Sequence, residues 1–130
     1  MKICLSSRQT KEYLSKADEI KVQFRDIKSI PDLIMDYPEA TIILENVNGE
    51  PFNWDELKNW NTLAQGKLML CLGNPDQLVE ANNYGIKAYL GWLISDYETL
   101  NTVLKMGAYC VRLSGSLFFD LDRVVSMGAT

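Results

Sequence analysis

The feature that most constrains this chain is a short apolar run that returns about every twenty residues. The runs are Lys2–Ser6, Ile20–Arg25, Thr41–Asn46, Lys67–Leu72, Ile86–Leu90 and Ala108–Leu113. From the second onward, successive starts lie 21, 26, 19 and 22 residues apart. Runs of this length, rich in Ile, Val, Leu and Tyr, read as buried strands.

Helical patterns fill the gaps. Leu57, Trp60, Leu63 and Ala64 share one helical face, as do Tyr97, Leu100, Val103 and Leu104, and then Leu117, Leu121, Val124 and Val125. Asn53 with Glu56 and Ser95 with Glu98 have the spacing of a capping box. Asn74-Pro75 sets a capping residue before a helix-opening proline. Gly66, Gly85, Gly107 and Gly128 stand where helices hand over to strands, a place that favours a left-handed residue.

The order βαβαβαβαβαβα predicts six successive βα units on a parallel sheet with right-handed crossovers. No Pro/Gly/Ser-rich linker interrupts it, so residues 1–130 read as a single βα-repeat domain. Two architectures fit: a partial (β/α) barrel, a truncated TIM-barrel-like scaffold, and an open doubly wound sheet. At this period a full barrel takes roughly 170 residues. Met127-Gly128-Ala129-Thr130 repeats Met106-Gly107-Ala108-Tyr109 by position, so a seventh strand is expected where the sequence stops. Six units leave two unpaired parallel edges, which self-association or a partner chain is expected to cover. A leucine-rich solenoid shares the period, but its signature is absent.

One stretch carries a resemblance. The strand Gly85-Ile86-Lys87 is followed by a helix holding Asn101 and Lys105-Met106-Gly107-Ala108, then by Val111–Ser114 and by Leu117–Val124. Over about 40 residues this resembles the later strands of the barrel domain in the U32-type peptidase-like family. The resemblance implies a barrel scaffold, and the family's name implies proteolysis or related work on proteins or RNA-linked substrates. No catalytic residue of the family is matched here.

Composition narrows the chemistry. The chain is 47% hydrophobic and 23% charged, with a net charge of -4, which is ordinary for a globular domain and unlike a nucleic-acid footprint. It has no histidine, which removes the commonest general base and metal ligand. Cys4, Cys71 and Cys110 are three scattered cysteines inside apolar runs. They read as reduced, buried thiols of a cytoplasmic protein, without disulfide or zinc. No h-region opens the chain, and no apolar run approaches the roughly 18 residues of a membrane span. Neither metal nor cofactor is called for.

In parallel β/α folds, sites form at the strands' C-terminal ends. Arg25, Asp26, Glu45 and Arg112 fall there and have the chemistry to bind a carboxylate or phosphate, with a carboxylate as base; mutual ion pairing is the plainer reading. Asn74 and Ser114 open helices and are candidates to hold an anion, with ordinary capping as the plainer role. Lys67 and Lys87 open strands and so face the opposite end. Without histidine or a nucleophile elbow, Ser114 is no hydrolase nucleophile. Trp54, Trp92, Phe118 and Phe119 are candidates for an interaction surface, while Trp60 reads as core.

These residues point away from an enzyme and toward a non-enzymatic binding, assembly or inhibitor-type protein, expected to form a homo-oligomer or hold a protein partner. Such a profile fits a protein borne by a phage or mobile element and located in the host cytoplasm. The alternative is a barrel-type enzyme binding a small anionic ligand at the strand ends.

Overall fold

The computed structural model describes residues 2–118, apart from the side chains of Ser116 and Phe118. Five strands alternate with helices: β1 (Cys4–Ser6), α1 (Lys11–Leu14), β2 (Glu19–Gln23), α2 (Ile30–Asp36), β3 (Thr41–Asn46), α3 (Trp54–Leu63), β4 (Leu68–Leu72), α4 (Asp76–Asn83), β5 (Lys87–Leu90), α5 (Tyr97–Lys105) and α6 (Gly115–Phe118). A 3-10 turn over Phe24–Ser29 leads from β2 into α2. All pairings are parallel, and the sheet runs β1-β2-β3-β4-β5.

Side chains alternate across a strand, and the register sorts them into rows. Val22, Leu44, Leu70 and Ala88 lie side by side, as do Leu5, Ile20, Ile42 and Leu68. These rows join Leu14, Ile30, Leu33, Leu57, Leu78, Leu100 and Val103 from the helices in one core cluster. Ile20, Val22, Leu44, Leu68 and Leu70 are wholly inaccessible. The helices therefore cover one face of the sheet.

The opposite face carries the rows Ser6-Lys21-Ile43-Met69-Lys87 and Gln23-Glu45-Cys71-Tyr89. No helix among the described residues packs on it; Ile43 and Cys71 are buried there by their neighbours, outside the main core cluster. The apolar runs, read as buried strands, are thus covered by helices on one face only among the described residues.

The sixth strand expected over Ala108–Leu113 is not a ladder. Tyr109 N–H donates to the Ala88 carbonyl at 2.8 Å, and Leu113 makes a single parallel bridge with Ile94. The reason lies in β5, which stops at Leu90; the bend at Gly91 and Trp92 carries the chain away, so backbone pairing resumes only at Ile94. Leu117 is buried against the core, while Phe119, Leu121, Val124, Val125 and Gly128 lie outside the described residues.

The local signals have mixed outcomes. Glu56 N–H donates to Asn53 Oδ1 at 3.2 Å, capping α3 as expected. The cap of α5 is Asp96 rather than Ser95, with Thr99 N–H donating to its Oδ1 at 2.7 Å. Gly66, Gly85 and Gly107 have φ of 81°, 71° and 91°. On α3, Leu57 and Ala64 are buried and Trp60 is half-buried, but Leu63 is 49% exposed and leaves the expected apolar face. Among the described residues no helix is long and apolar enough to cross a membrane.

Candidate functional site

The strand C-terminal ends hold most of the expected site residues, and five of them, Asp26, Glu45, Asn74, Arg112 and Ser114, are engaged locally. Asp26 pairs with Arg8, whose Nε lies 3.0 Å from Asp26 Oδ2. That hydrogen bond holds the Asp26 carboxyl below its usual range, with Arg8 and Arg25 adding charge attraction. Glu45 lies 4.0 Å from Lys21 Nζ across the β2-β3 step. Arg112 donates from Nη1 to the Gly91 carbonyl at 2.6 Å, tying the 108–113 segment to the end of β5. Asn74 Oδ1 accepts from Asp76 N–H at 3.0 Å, an ordinary helix-opening turn. Ser114 N–H donates to the Ile94 carbonyl, and its own carbonyl accepts from Leu117 N–H.

Arg25 borders two open depressions. One, of about 650 Å³, also touches Ser7, Arg8, Asp26 and Lys28. The other, of about 370 Å³, touches Glu45, Asn46 and Glu50. The structure thus gathers Arg25 with Asp26 and with Glu45, whereas Asn74, Arg112 and Ser114 sit at later strand ends. Buried Asn46 braces this end: its amide donates to the Glu50 carbonyl at 2.8 Å, and its Oδ1 accepts from Glu50 N–H at 2.9 Å.

Of the aromatic candidates, half-buried Trp54 stacks on Tyr84 and meets Phe52 edge-on. Trp92 is 40% exposed and lines a depression of about 300 Å³ with Pro75 and Met106. The Phe118 side chain and Phe119 lie outside the described residues.

The helix-free face forms a second candidate site. Near the strands' N-terminal ends it holds a cleft of about 470 Å³ lined by Lys2, Lys21, Lys67, Lys87, Glu19 and Tyr109, with Cys4 and Cys110 at its walls. Cys4 is exposed, which corrects the expectation of three buried thiols; it sits on the edge strand, facing away from the helices. Cys71 is buried and Cys110 half-buried, and all three are free thiols. Burial pushes the Cys71 thiol up, opposed by a hydrogen bond with Tyr89. Burial likewise raises the Tyr89 phenol. Among the described residues no group of three or more Cys, Asp or Glu is placed to hold a metal ion.

Sequence reasoning placed Lys67 and Lys87 away from the C-terminal ends but not around one cleft with Lys21. The signal was present in β2, where Glu19-Ile20-Lys21-Val22-Gln23 alternates polar and apolar, the pattern of a half-open strand. Comparison with family models, curated proteins and solved structures finds no significant match to any of the three.

Proposed function

We propose that this chain is a non-enzymatic binding and assembly module on an incomplete β/α-barrel scaffold, closed by a second copy of itself. What supports it most is the sequential β1-β5 order combined with helices on one face only. Parallel strands added in order by right-handed crossovers put every helix on the same side, and sheet twist curls them into an arc with the bare face inside. A doubly wound sheet instead reverses its order at a switch point. The likeness to U32-type peptidase-like barrels belongs here as a likeness of scaffold.

An arc has two free edges. Among the described residues nothing pairs with the outer side of β1, and the 108–113 segment only partly covers β5. A two-fold axis along the strands brings β1 of one copy beside that segment of the other, and two such seams close a ring. Three free thiols support a cytoplasmic setting for this assembly.

Light scattering over a dilution series tests this. The expected mass is twice the 14.8 kDa of one chain, falling toward one chain on dilution. In β1, the Ile3 carbonyl accepts from Asp18 N–H and Ser7 N–H donates to the Lys21 carbonyl, so alternation turns Cys4 N–H to the open edge. Cys4→Pro removes that outward donor without touching the β1-β2 ladder. It should give a monomer with unchanged far-ultraviolet circular dichroism. A wild-type monomer at every concentration overturns the reading.

A second reading is a small anionic ligand at the strand C-terminal ends, favoured by Arg25 standing over two depressions. It predicts that Arg25→Ala abolishes binding of inorganic phosphate without unfolding the chain. Phosphate binding that survives the substitution counts against it.

A further inference from the structure

We infer that the cleft at the N-terminal end of the helix-free face binds a small ligand carrying several phosphates and a planar ring, of nucleotide type. Four lysines, Lys2, Lys21, Lys67 and Lys87, line it against one acid, Glu19, on a chain whose net charge is -4. The charge in this cleft is therefore opposite to that of the molecule, and its walls focus the field. At about 470 Å³ the cleft lies within the range of small-ligand sites.

The ammonium groups are held loosely. Lys21 Nζ is 4.0 Å from Glu45, and Lys67 Nζ is 3.9 Å from Glu39, a side chain 97% exposed. Only the 3.0 Å bond from Lys67 Nζ to the Pro38 carbonyl is short, and it leaves other protons of that group to donate. Phosphate oxygens make shorter, charge-assisted bonds than these long contacts. Lys87 Nζ sits 4.9 Å from the centroid of the Tyr109 ring, and Tyr109 is 49% exposed. The cleft thus holds a cation over one face of a half-exposed tyrosine ring, and a base stacks where that ring is open.

The site uses one chain's residues only; in the two-copy assembly it lies at the N-terminal mouth of the ring, with Lys2 and Tyr109 next to the seams. Calorimetric titration with ATP, tripolyphosphate and adenosine separates its parts. ATP is expected to bind, tripolyphosphate to bind about tenfold more weakly, and adenosine not to saturate. Tyr109→Leu should bring ATP down to the affinity of tripolyphosphate and leave tripolyphosphate unchanged. The double variant Lys21→Gln/Lys87→Gln should weaken ATP by about tenfold or more, with an unchanged melting temperature. Lys67→Gln should weaken ATP in the same direction. Absence of ATP binding, or binding retained within about twofold in the double variant, overturns the assignment. Tighter binding of a short oligoadenylate than of ATP, per phosphate, overturns the small-ligand class. Light scattering on the same samples keeps the outcomes distinct: a monomer that binds ATP sinks the assembly alone, and a dimer that does not sinks this site alone.

Discussion

The ring of Trp54 stacks on that of Tyr84, with centroids 5.4 Å apart and planes 10° from parallel. Trp54 opens α3 and Tyr84 closes α4, so the pair ties two neighbouring βα units together on the helical side. A tryptophan expected at an interaction surface thus has an internal partner. Aromatic pairs of this kind contribute about 1 kcal/mol beyond their buried area. Tyr84→Ala should lower stability by about that amount in urea unfolding and redden the tryptophan emission as Trp54 gains solvent. A Tyr84→Phe variant should keep both near wild type.

Gly73 ends β4 against the Val47 carbonyl, and a Cβ there would collide with that backbone oxygen. The loop after β3 is pinned, because Gly73 N–H donates to the Asn46 carbonyl at 3.1 Å and Asn46 holds Glu50. The backbone has no room to yield. Gly73→Ala should therefore cost about 3 kcal/mol, at the upper end for overpacking. Gly66→Ala is the control: its φ is 81° but nothing lies within 4 Å of the added carbon, so only backbone strain remains, about 1 kcal/mol. Urea midpoints of the two variants check the ranking.

How far the fold was legible depends on the range of each signal. β3 spans Thr41–Asn46 in both readings, and the Asn53 cap and left-handed Gly66, Gly85 and Gly107 stand where the sequence puts them. These features are set by neighbours in the chain. The sixth strand failed because pairing is decided at a distance: Ala108–Leu113 has strand-like residues, but β5 bends at Gly91 before it can offer a ladder. Ser95 lost the cap of α5 to Asp96, which accepts from both the amide and the hydroxyl of Thr99. The cleft was hidden for the same reason as the strand. Lys2, Lys21, Lys67 and Lys87 lie in or before different strands, and only the parallel sheet gathers them around one cleft.

The Asp96 cap makes part of α5 sensitive to pH. Hydrogen bonds from Thr99, backbone first and then side chain, hold its carboxyl below the usual range. A carboxyl lowered on folding adds stability above its unfolded value, near 3.9, and loses it as pH falls through the folded value. Asp96→Ala should thus be less stable than wild type at neutral pH, and the gap should narrow below about pH 3. Paired urea titrations at the two pH values measure this; a gap independent of pH would rule out the charged cap as its source.

The three thiols report how the helix-free face is covered. Burial is the largest influence raising each of them, so the thiolate form is scarce at neutral pH. Exposure then decides the order: Cys4 is exposed, Cys110 is half-buried, and Cys71 is 5% exposed. Iodoacetamide labelling followed by peptide mass mapping should find Cys4 first, Cys110 next and Cys71 last. Each rate should rise about tenfold per pH unit below its thiol pKa. Urea should bring the three rates together, because unfolding removes the difference in access. Cys4 lies on the β1 edge, so closure by a second copy should slow its labelling as protein concentration rises, while Cys71 stays slow throughout. A Cys4 rate that does not change with concentration would place the contact between copies away from β1.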